Sequence, residues 1–527
     1  MIERKTQTAE YWREFSLTPA DTEFLRNLLL DAERPLTTRE LAQALITERC
    51  RREEADLRAD LSRGTIYQPK KHFAVGDKVI FPALDFRLGE VIECRPGQNP
   101  EHGEFDVIAV DFGPNRRQRS FAAGLNGPHK LNVDASDLLV AGNLISPEKL
   151  LATSASAVPS SLAAQLGAQP DFAMFEDRWL HRDLLAEIHI GHLNIAEALI
   201  EMRGTPVETK TLVKELDLPA EIKPEVLAFS LQSAMIADGR FDQVGPGDVR
   251  QWYLSRLEPV EALSVPEALR YQPIALDLTR VPSDLLQIAV ELDDEWSDLA
   301  LNTDADVRAG LTTTTLLLTY PHLVSGTLPL NRHASAIFPK GHGERTAVTL
   351  IDGRWGNRFQ AWVNHAGRYV AGLRPWFEKH KLPAGAYLTL ERRDESGEIV
   401  VDFRPKRMRR EWTRFAQPAD GNRLDIQLRK QEVACEYDEQ IIIGDDRNEE
   451  ILKLRSAPVY ARVSLDDLVF EVFTDLAGLS QTGSVHAKTI YSAVNVLHRC
   501  PPEPVFAALA NHPKLEVAGG GTFRLAK

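Results

Sequence analysis

The densest group of chemically active side chains in this sequence is a run of cations near residue 400. Its five members fall within seven positions, and they are Arg404, Lys406, Arg407, Arg409 and Arg410. Guanidinium and ammonium groups at this density bind phosphates, and such contacts hold a nucleic-acid backbone without reading its sequence. We therefore expect this run to contact DNA phosphates.

The run belongs to a longer basic stretch, His322 to Arg414, which holds 17 Lys/Arg and 9 Asp/Glu. The whole chain of 527 residues carries a formal charge of −14, so the remainder is strongly acidic. A basic region in an acidic chain indicates one face for a polyanion, with the rest kept soluble and weakly repelling it. Charge by itself suits DNA, RNA or an acidic protein equally.

Two histidine-containing patterns have the form of known motifs. His181–Leu184 reads like a kinase catalytic loop, but Ile188 stands where that loop needs Asn, and no Gly-rich phosphate loop precedes it. His189 and His192 have the spacing of two metal ligands on one helical face, but no Cys or carboxylate completes a recognisable site. We interpret the first as a chance match and the second as surface histidines.

A third pattern supplies the residue types of a metal-dependent nuclease. Asp171, Glu221 and Lys223 would need to lie on adjacent strands around a metal, whereas Glu221 precedes Pro224 at a predicted helix start. We find no positive signal for catalysis. The sequence therefore predicts no catalytic residues, no metal, no cofactor and no enzymatic activity.

Composition and cysteine usage indicate the cellular setting. A 43% hydrophobic and 26% charged composition is that of ordinary globular protein, and the length predicts several domains. The N-terminus lacks the apolar core of a signal peptide, and no apolar run approaches a membrane span. We expect a cytoplasmic, DNA-associated protein without membrane partners. The four cysteines are far apart in the chain: Cys50, Cys94, Cys435 and Cys500.

The basic stretch alternates apolar and polar residues as half-buried strands do. Phe359–Val363, Ala386–Glu391 and Glu398–Phe403 predict three strands, and Pro375–His380 predicts a short helix with proline in its first turn. Four aromatic residues of this stretch are expected in its core: Trp355, Trp362, Tyr369 and Trp376.

The order of residues here resembles the B3-type DNA-binding pseudobarrel of plant transcription factors and of some restriction-enzyme effector domains. Ala386 stands where that family usually has Asp. The resemblance implies that residues 319–415 form such a pseudobarrel and bind duplex DNA. The runs that carry it are Gly326–Leu330, Ile337–Pro339, Val348–Leu350, Trp362-Val363, Gly367–Val370, Trp376-Phe377 and Leu382–Leu390.

In that family, two loop-borne arms enter the major groove. The resemblance places the two arms on loops whose Arg, Asn and His side chains have suitable chemistry. Arg reads guanine, Asn reads adenine, and His bonds to a base edge or a phosphate. The candidates for base contact are Asn331, Arg332 and His333 in the first arm, and Asn364, His365 and Arg368 in the second.

Residues 1–72 predict a helix-turn-helix or winged-helix unit, with a plain three-helix bundle as the alternative. Thr37 and Glu40 form a capping box, Glu53–Leu61 predicts a third helix, and the β-prone Tyr67–Phe73 follows as a possible wing. Residues 73–145 contain short strands with Gly-Asp and Pro-Gly turns, and their spacing resembles SH3-like barrels of the KOW and Tudor kind. Residues 146–177 are rich in Ser, Ala and Pro and predict a linker.

The helices of residues 178–260 end in the hairpin Arg240–Leu254, which predicts a winged-helix unit. Residues 463–527 repeat this order, because residues 241–245 align with residues 515–519 before a second Gly-rich turn. The final unit resembles the HARE-HTH class of winged helices. Some members of that class bind protein partners, so a protein partner is expected as well as DNA.

Two further segments, 261–318 and 416–462, are interpreted as connectors. The first contains the acidic region Glu291 to Asp306, for which a solvated connector is one interpretation. A second is that the acidic region covers the basic stretch until DNA displaces it.

These patterns predict an α+β multidomain fold with winged-helix units, an SH3-like barrel and a B3-like pseudobarrel. The first hypothesis for function is a multi-module, duplex DNA-binding transcription regulator. The second is an interaction scaffold or DNA-recognition subunit of a restriction, defence or RNA polymerase-associated complex. The third is a nuclease whose site is assembled only in space.

Overall fold

The computed structural model describes residues 4–84, 86–113, 118–132, 144–274, 276, 281–297, 311–393, 398–444 and 448–526. The chain divides into two compact units, Met1–Ile188 with Leu218–Ala234, and His189–Asp217 with Met235–Lys527. The fold is mixed α/β, and the strands of the described residues form several separate sheets. No helix among these residues is both long and apolar enough to cross a lipid bilayer.

The first unit begins with three helices and a two-residue strand. The capping box predicted at Thr37 is confirmed, because Thr37 Oγ1 accepts the Glu40 N–H at 3.1 Å and Glu40 Oε2 accepts the Thr37 N–H at 2.7 Å. The separate third helix predicted at Glu53–Leu61 is wrong, since one helix continues through it, braced by ion pairs such as Glu48–Arg52. The elements are α1 (Ala9–Arg13), α2 (Pro19–Ala32), β1 (Leu36–Thr37) and α3 (Thr38–Ser62).

A five-stranded sheet follows, in which each strand pairs with the next along the chain. The segment Tyr67–Phe73 is not the wing that we expected. Ile66 pairs with Ile80, and the Tyr67 ring stacks on Phe73 at 6.0 Å in the core of this sheet, because aromatic residues gain more by burial there. The strands are β2 (Thr65–Ile66), β3 (Lys78–Phe81), β4 (Arg87–Pro96), β5 (Asp106–Asp111) and β6 (Arg119–Ala123).

Residues 146–177 form helices and a hairpin, which differs from the linker that their composition predicted. Val158, Leu162 and Leu166 lie one turn apart on the same helical face and are fully buried, so their spacing outweighs the Ser and Pro content around them. Pro147 and Pro159 lie in first helical turns, where proline is tolerated. The elements are α4 (Pro147–Ala152), α5 (Val158–Gly167), β7 (Phe172–Phe175) and β8 (Arg178–His181).

The chain then repeats the order helix, short strand, two helices, hairpin. The predicted hairpin at Arg240–Leu254 is confirmed, with Phe241 paired to Leu254. The turn of this hairpin contacts the segment just before the seven-stranded sheet of the same unit, because the Gly247 N–H donates to the Lys340 carbonyl at 2.7 Å. The elements are α6 (Ile190–Arg203), β9 (Val207–Glu208), α7 (Thr209–Glu215), α8 (Pro224–Asp238), β10 (Phe241–Gln243) and β11 (Gln251–Leu254).

A buried ion pair adds to this contact. Arg345 lies 2.7 Å from Glu258 and 2.9 Å from Asp242. One guanidinium thus joins Asp242 of the hairpin, and Glu258 of the segment that follows the hairpin, to the large sheet. Burial raises the pKa of Glu258 to about 7, and the charge of Asp242 adds to that shift while Arg345 opposes it.

The large sheet of the second unit has seven strands and is nearly closed, like a barrel. Its strand order is β12-β17-β18-β14-β15-β16-β13, and the β14–β18 pairing is parallel. The predicted strands Phe359–Val363, Ala386–Glu391 and Glu398–Phe403 and the predicted helix Pro375–His380 are confirmed to within one residue. The strands are β12 (Thr313–Leu317), β13 (Thr327–Pro329), β14 (Arg345–Asp352), β15 (Arg358–Asn364), β16 (Tyr369–Ala371), β17 (Tyr387–Arg392) and β18 (Ile399–Phe403).

Three of the four aromatic residues predicted for this core are buried: Trp362, Tyr369 and Trp376. The prediction is wrong for Trp355, which is 59% exposed because it lies in the tight turn between β14 and β15. The helices around the sheet are α9 (Val260–Leu263), α10 (Ser283–Leu292), α11 (Tyr320–Ser325), α12 (Ala334–Ile337) and α13 (Arg374–His380).

A ribbon of two long strands continues from the large sheet, and the short strand Ile443–Gly444 pairs in parallel with the first of them at Phe415 and Ala416. Strands β19 (Pro405–Ala419) and β20 (Arg423–Cys435) pair from Pro405–Cys435 to Ala419–Arg423, with one irregularity after Pro405. The expectation that 416–462 is a connector is therefore wrong for its first half, because most of those residues belong to the paired strands of the ribbon. The next elements are β21 (Ile443–Gly444), α14 (Asn448–Arg455) and α15 (Pro458–Ala461).

The C-terminal helices and hairpin pack around one large apolar core that includes Phe473, Ile490 and Phe506. The predicted alignment of residues 241–245 with 515–519 agrees with the structure, since both form the first strand of the hairpin that follows a third helix. The elements are α16 (Leu465–Gly478), β22 (Val485–His486), α17 (Ala487–Leu497), α18 (Pro502–Asn511), β23 (Leu515–Gly519) and β24 (Thr522–Leu525).

The same arrangement occurs three times in the chain, and its first copy was not foreseen. In each copy the short strand pairs with the last strand of the hairpin, and the five-stranded sheet is inserted between helices of the first copy. In two copies an indole N–H donates to the threonine that opens the following helix, at 2.9 Å. In the three copies, the paired residues of the short strand and the last hairpin strand are Leu36–Trp179, Val207–Trp252 and Val485–Phe523. The residues that open the following helices are Thr38, Thr209 and Ala487.

The acidic region is partly buried, so its interpretation as a solvated connector is wrong where the structure describes it. Asp294 and Glu295 lie 2.7 Å and 2.6 Å from Arg499, which is itself 3% exposed. The hydroxyl of Tyr491 donates to Asp294 at 2.6 Å. Buried carboxylates need such partners. The remainder of the region, residues 298–306, lies outside the described residues.

Replacing Arg499 with Met leaves two buried carboxylates without their cation. We expect the free energy of unfolding of the second unit to fall by about 3–5 kcal/mol, measured from the urea midpoint. Arg524→Met is the control, because Arg524 forms an exposed ion pair with Glu516 and its loss should cost less than about 1 kcal/mol. Equal midpoint shifts for the two variants would contradict this role of Arg499.

A candidate nucleic-acid interface

The structure brings the two predicted arms together at one edge of the large sheet. Asn331–His333 follows β13, and Asn364–Arg368 is the turn between β15 and β16. Strand β16 pairs with both β13 and β15, and the Leu330 N–H donates to the Arg368 carbonyl at 2.9 Å. The six base-contact candidates therefore lie on two adjacent loops.

These loops border a cleft of about 420 Å³. Its third wall is the acidic turn, by which we mean Asp293–Ser297, directly after α10. Three basic and three acidic residues line the cleft, but the side chains of Asp294 and Glu295 pair with Arg499. The charged and polar lining residues are Asp293, Asp294, Glu295, Ser297, Asn331, Arg332, Ser335, Lys340, His365 and Arg368.

The acidic turn is hydrogen-bonded to the first arm. Asn331 Nδ2 donates to the Asp293 carbonyl at 3.0 Å, and His333 Nδ1 lies 2.6 Å from the Asp293 carboxylate. Arg332 Nε is 3.5 Å from the same carboxylate. Asn331 is only 3% exposed, and its Oδ1 accepts the Ala334 N–H, so both ends of its carboxamide are hydrogen-bonded within the protein.

The turn also contacts the second arm through Arg368. Arg368 Nη1 donates to the Glu295 carbonyl at 2.8 Å, and its guanidinium carbon lies 4.7 Å from the centroid of the Trp296 ring. Four of the six base-contact candidates thus contact the acidic turn in this conformation. The second interpretation, in which the acidic region covers the basic stretch until DNA displaces it, requires such contacts, and the displacement by DNA stays a prediction.

The other two candidates have different surroundings. Asn364 Oδ1 accepts the Gly367 N–H at 2.7 Å and its Nδ2 donates to the Tyr369 hydroxyl at 3.2 Å, so Asn364 shapes its own turn. Burial lowers the pKa of His365, and the nearby charge of Lys340 adds to that effect. His365 is therefore neutral at pH 7 where it lines the cleft.

The predicted phosphate contacts lie on the ribbon rather than on the large sheet. Arg404 and Arg410 have side chains that are 59% and 74% exposed, and each forms a long surface ion pair, with Glu436 and Glu432 respectively. Lys406 lies 2.9 Å from Glu411, whereas Arg407 and Arg409 are exposed. Surface pairs of this kind exchange readily with other anions.

The rejected motifs are also placed by the structure. His181 is buried and its Nδ1 accepts the Asp183 N–H, while the rings of His189 and His192 stack with centroids 3.7 Å apart. Lys223 pairs with Glu33 at 2.8 Å, and Glu221 lies in the turn before α8. In the part of the chain that the structure describes, no group of three or more His, Cys, Asp or Glu residues could hold a metal ion.

Reasoning from the sequence missed β20, the second strand of the ribbon, and the exposed position of Trp412 on the first strand, β19. A readable signal was present, because Leu424, Ile426 and Leu428 alternate with polar residues as in a half-buried strand. Comparison of the chain with protein-family models, curated proteins and solved structures finds no match.

Asp293→Ala removes the carboxylate that holds His333 and Arg332. We expect amide hydrogen exchange in residues 330–336 and 293–297 to accelerate by at least about 10-fold, because charge-assisted hydrogen bonds restrain both segments. The control is Asp284→Ala, which removes an exposed carboxylate from α10 and should leave both segments unchanged. Unaltered exchange in the Asp293 variant would refute the contact.

Proposed function

We propose that this chain is a multi-module transcription regulator that binds duplex DNA through residues 319–415 and the ribbon that continues from them. The observation that carries the proposal is the ribbon itself. Its two long paired strands directly follow the large sheet, and Arg407, Arg409 and Arg410 on the first strand and Arg404 just before it are exposed. Cations on such an element bind phosphates without first having to be ordered.

The large sheet, as a B3-like pseudobarrel, supplies the sequence-reading step in this proposal. Its two arms converge on one cleft, as two arms that enter one major groove must. The acidic turn occupies the hydrogen-bonding groups of Asn331, His333 and Arg368. In this order of events the ribbon binds phosphates first, the acidic turn is then displaced, and the arms read the bases last.

The three repeated helix-and-hairpin arrangements act as winged-helix units, with residues 463–527 of the HARE-HTH-like kind, and the five-stranded sheet acts as an SH3-like module. In this proposal the winged-helix units add DNA or protein contacts around the central region, and the five-stranded sheet adds protein contacts only. The hairpin turn of the second copy contacts Lys340, so it supports the central sheet in place of a free wing. No enzymatic step, cofactor or metal is part of the proposed function.

A second candidate function is an interaction scaffold or DNA-recognition subunit of a restriction, defence or polymerase-associated complex. The observation that favours it is on α6, where Ile195 and Met202 are 46% and 77% exposed and lie seven residues apart on one helical face. A pull-down that recovers one stoichiometric partner, without DNA after nuclease treatment, supports this alternative.

Duplex binding by the full chain should depend steeply on salt. With Arg404, Lys406, Arg407, Arg409 and Arg410 replaced by Gln, we expect the slope of log K against log salt to fall by about 0.9 for each lost phosphate contact. Fluorescence anisotropy with a labelled duplex measures both slopes.

The matched control replaces five exposed cations of the first unit by Gln and should leave the slope unchanged. Undetectable or salt-independent binding of the unmodified chain would overturn the proposed function. The control positions are Lys70, Lys78, Arg87, Arg95 and Lys130.

The contacts between the acidic turn and the two arms lead to a separate prediction. Asp293→Asn weakens the hold of the acidic turn on the arms, so we expect duplex affinity to rise by at least about 5-fold. Asp284→Asn removes the same charge from the exposed side of α10 and serves as the control. Equal gains from both variants would show that only net charge matters and would remove the acidic turn from the proposal.

A further inference from the structure

The outer face of the ribbon has an unusual composition for a solvent-exposed surface. Residues directly opposite in an antiparallel pair share a face, and Trp412 is opposite Lys430. The adjacent pairs on that face are Arg410 with Glu432 and Arg414 with Leu428. An indole ring is thus surrounded by long charged and apolar side chains on one surface.

Around Trp412 the two faces of the ribbon differ in burial. Thr413, Phe415 and Val433 belong to the other face and are 4%, 9% and 3% exposed. On the outer face Trp412 is 63% exposed and Leu428 is 44% exposed. A large aromatic residue held on a regular strand with most of its surface in water is a feature of binding sites.

The charges around Trp412 indicate the kind of partner. Lys430 Nζ lies 5.2 Å from the centroid of the Trp412 ring. The three pairs of this face hold three cations, Arg410, Arg414 and Lys430, and one carboxylate, Glu432. An aromatic ring among cations matches a ligand that carries both a flat π-surface and a phosphate, which is the chemistry of a nucleotide in a strand.

An unpaired strand fits this face better than a duplex or a protein does. In a duplex the faces of the bases are stacked inside the helix, and only their edges reach the grooves. An unpaired base offers its face directly, and stacking on an aromatic residue is tolerant of sequence. The excess of cations favours a polyanion over a protein surface of mixed charge.

We propose that the outer face of the ribbon binds single-stranded nucleic acid, with a base stacked on Trp412 and the adjacent phosphates held by Lys430 and Arg410. This site is distinct from the cleft bordered by the two arms, and it shares Arg410 with the ribbon surface proposed to hold duplex phosphates. It does not require the duplex binding proposed above, so either can fail without the other.

The test uses the full chain and fluorescein-labelled 15-nucleotide oligo(dT), with oligo(rU) of the same length to separate DNA from RNA. Trp412→Ala should weaken binding of at least one of these strands by roughly 5-fold to 150-fold, the range measured for loss of one stacked base. Trp412→Tyr retains an aromatic ring and should recover most of the affinity. Affinity for a blunt duplex should change less than about 2-fold in either variant, because no unpaired base is present there.

Val260→Ala is the control for loss of an exposed apolar side chain elsewhere in the second unit, because Val260 is 72% exposed, and it should leave strand binding unchanged. The proposal is overturned if the unmodified chain binds neither strand, or if Trp412→Ala binds both as tightly as the unmodified chain. It is also overturned if Trp412→Ala weakens duplex and single-strand binding equally, since Trp412 would then serve the duplex. Trp412→Tyr binding no better than Trp412→Ala would contradict stacking as the interaction.

Discussion

A single buried guanidinium organises the second unit. Arg499 lies between the carboxylates of Asp294 and Glu295, and all three side chains are almost fully buried. Charges removed from water are stable only when they are paired, so folding must bring these residues together. Burial acts to raise the pKa of Glu295, but the charges of Arg499 and His322 outweigh it and hold that pKa below its ordinary value. The Glu295–Arg499 ion pair is therefore maintained across the neutral pH range, whereas burial and the neighbouring charge of Glu295 raise the pKa of Asp294.

This pairing decides which groups of the acidic turn face the cleft. Because the side chains of Asp294 and Glu295 are directed at Arg499, the Asp293 carboxylate and the backbone carbonyls remain for the arms. Asp293 then contacts His333, and the Glu295 carbonyl accepts Arg368. The third helix-and-hairpin copy and the cleft thus share one short turn. A displacement of that turn must alter both, which gives the C-terminal copy a physical connection to the arms.

The cleft and the ribbon of the second unit differ in what they require for binding. The cleft holds carboxylates beside its cations, and its arms are hydrogen-bonded within the protein. The ribbon presents its cations and Trp412 on paired strands, already exposed, so a ligand meets them without any rearrangement. Rapid, weakly selective contact therefore belongs to the ribbon, and slower, selective contact belongs to the cleft under the proposed function.

The sequence by itself determined the features that depend on neighbouring residues. The capping box of Thr37 and Glu40 and the alternating strands of the large sheet were predicted because hydrogen bonds and side-chain periods of two to four residues produce them. Tertiary structure decided the rest. The pairing of Asp294 with Arg499 spans 205 residues, and the exposure of Trp412 depends on which face of the ribbon packs inward. A carboxylate or an indole has the same letter in the sequence whether it is buried or exposed, and only the meeting of distant surfaces decides between the two.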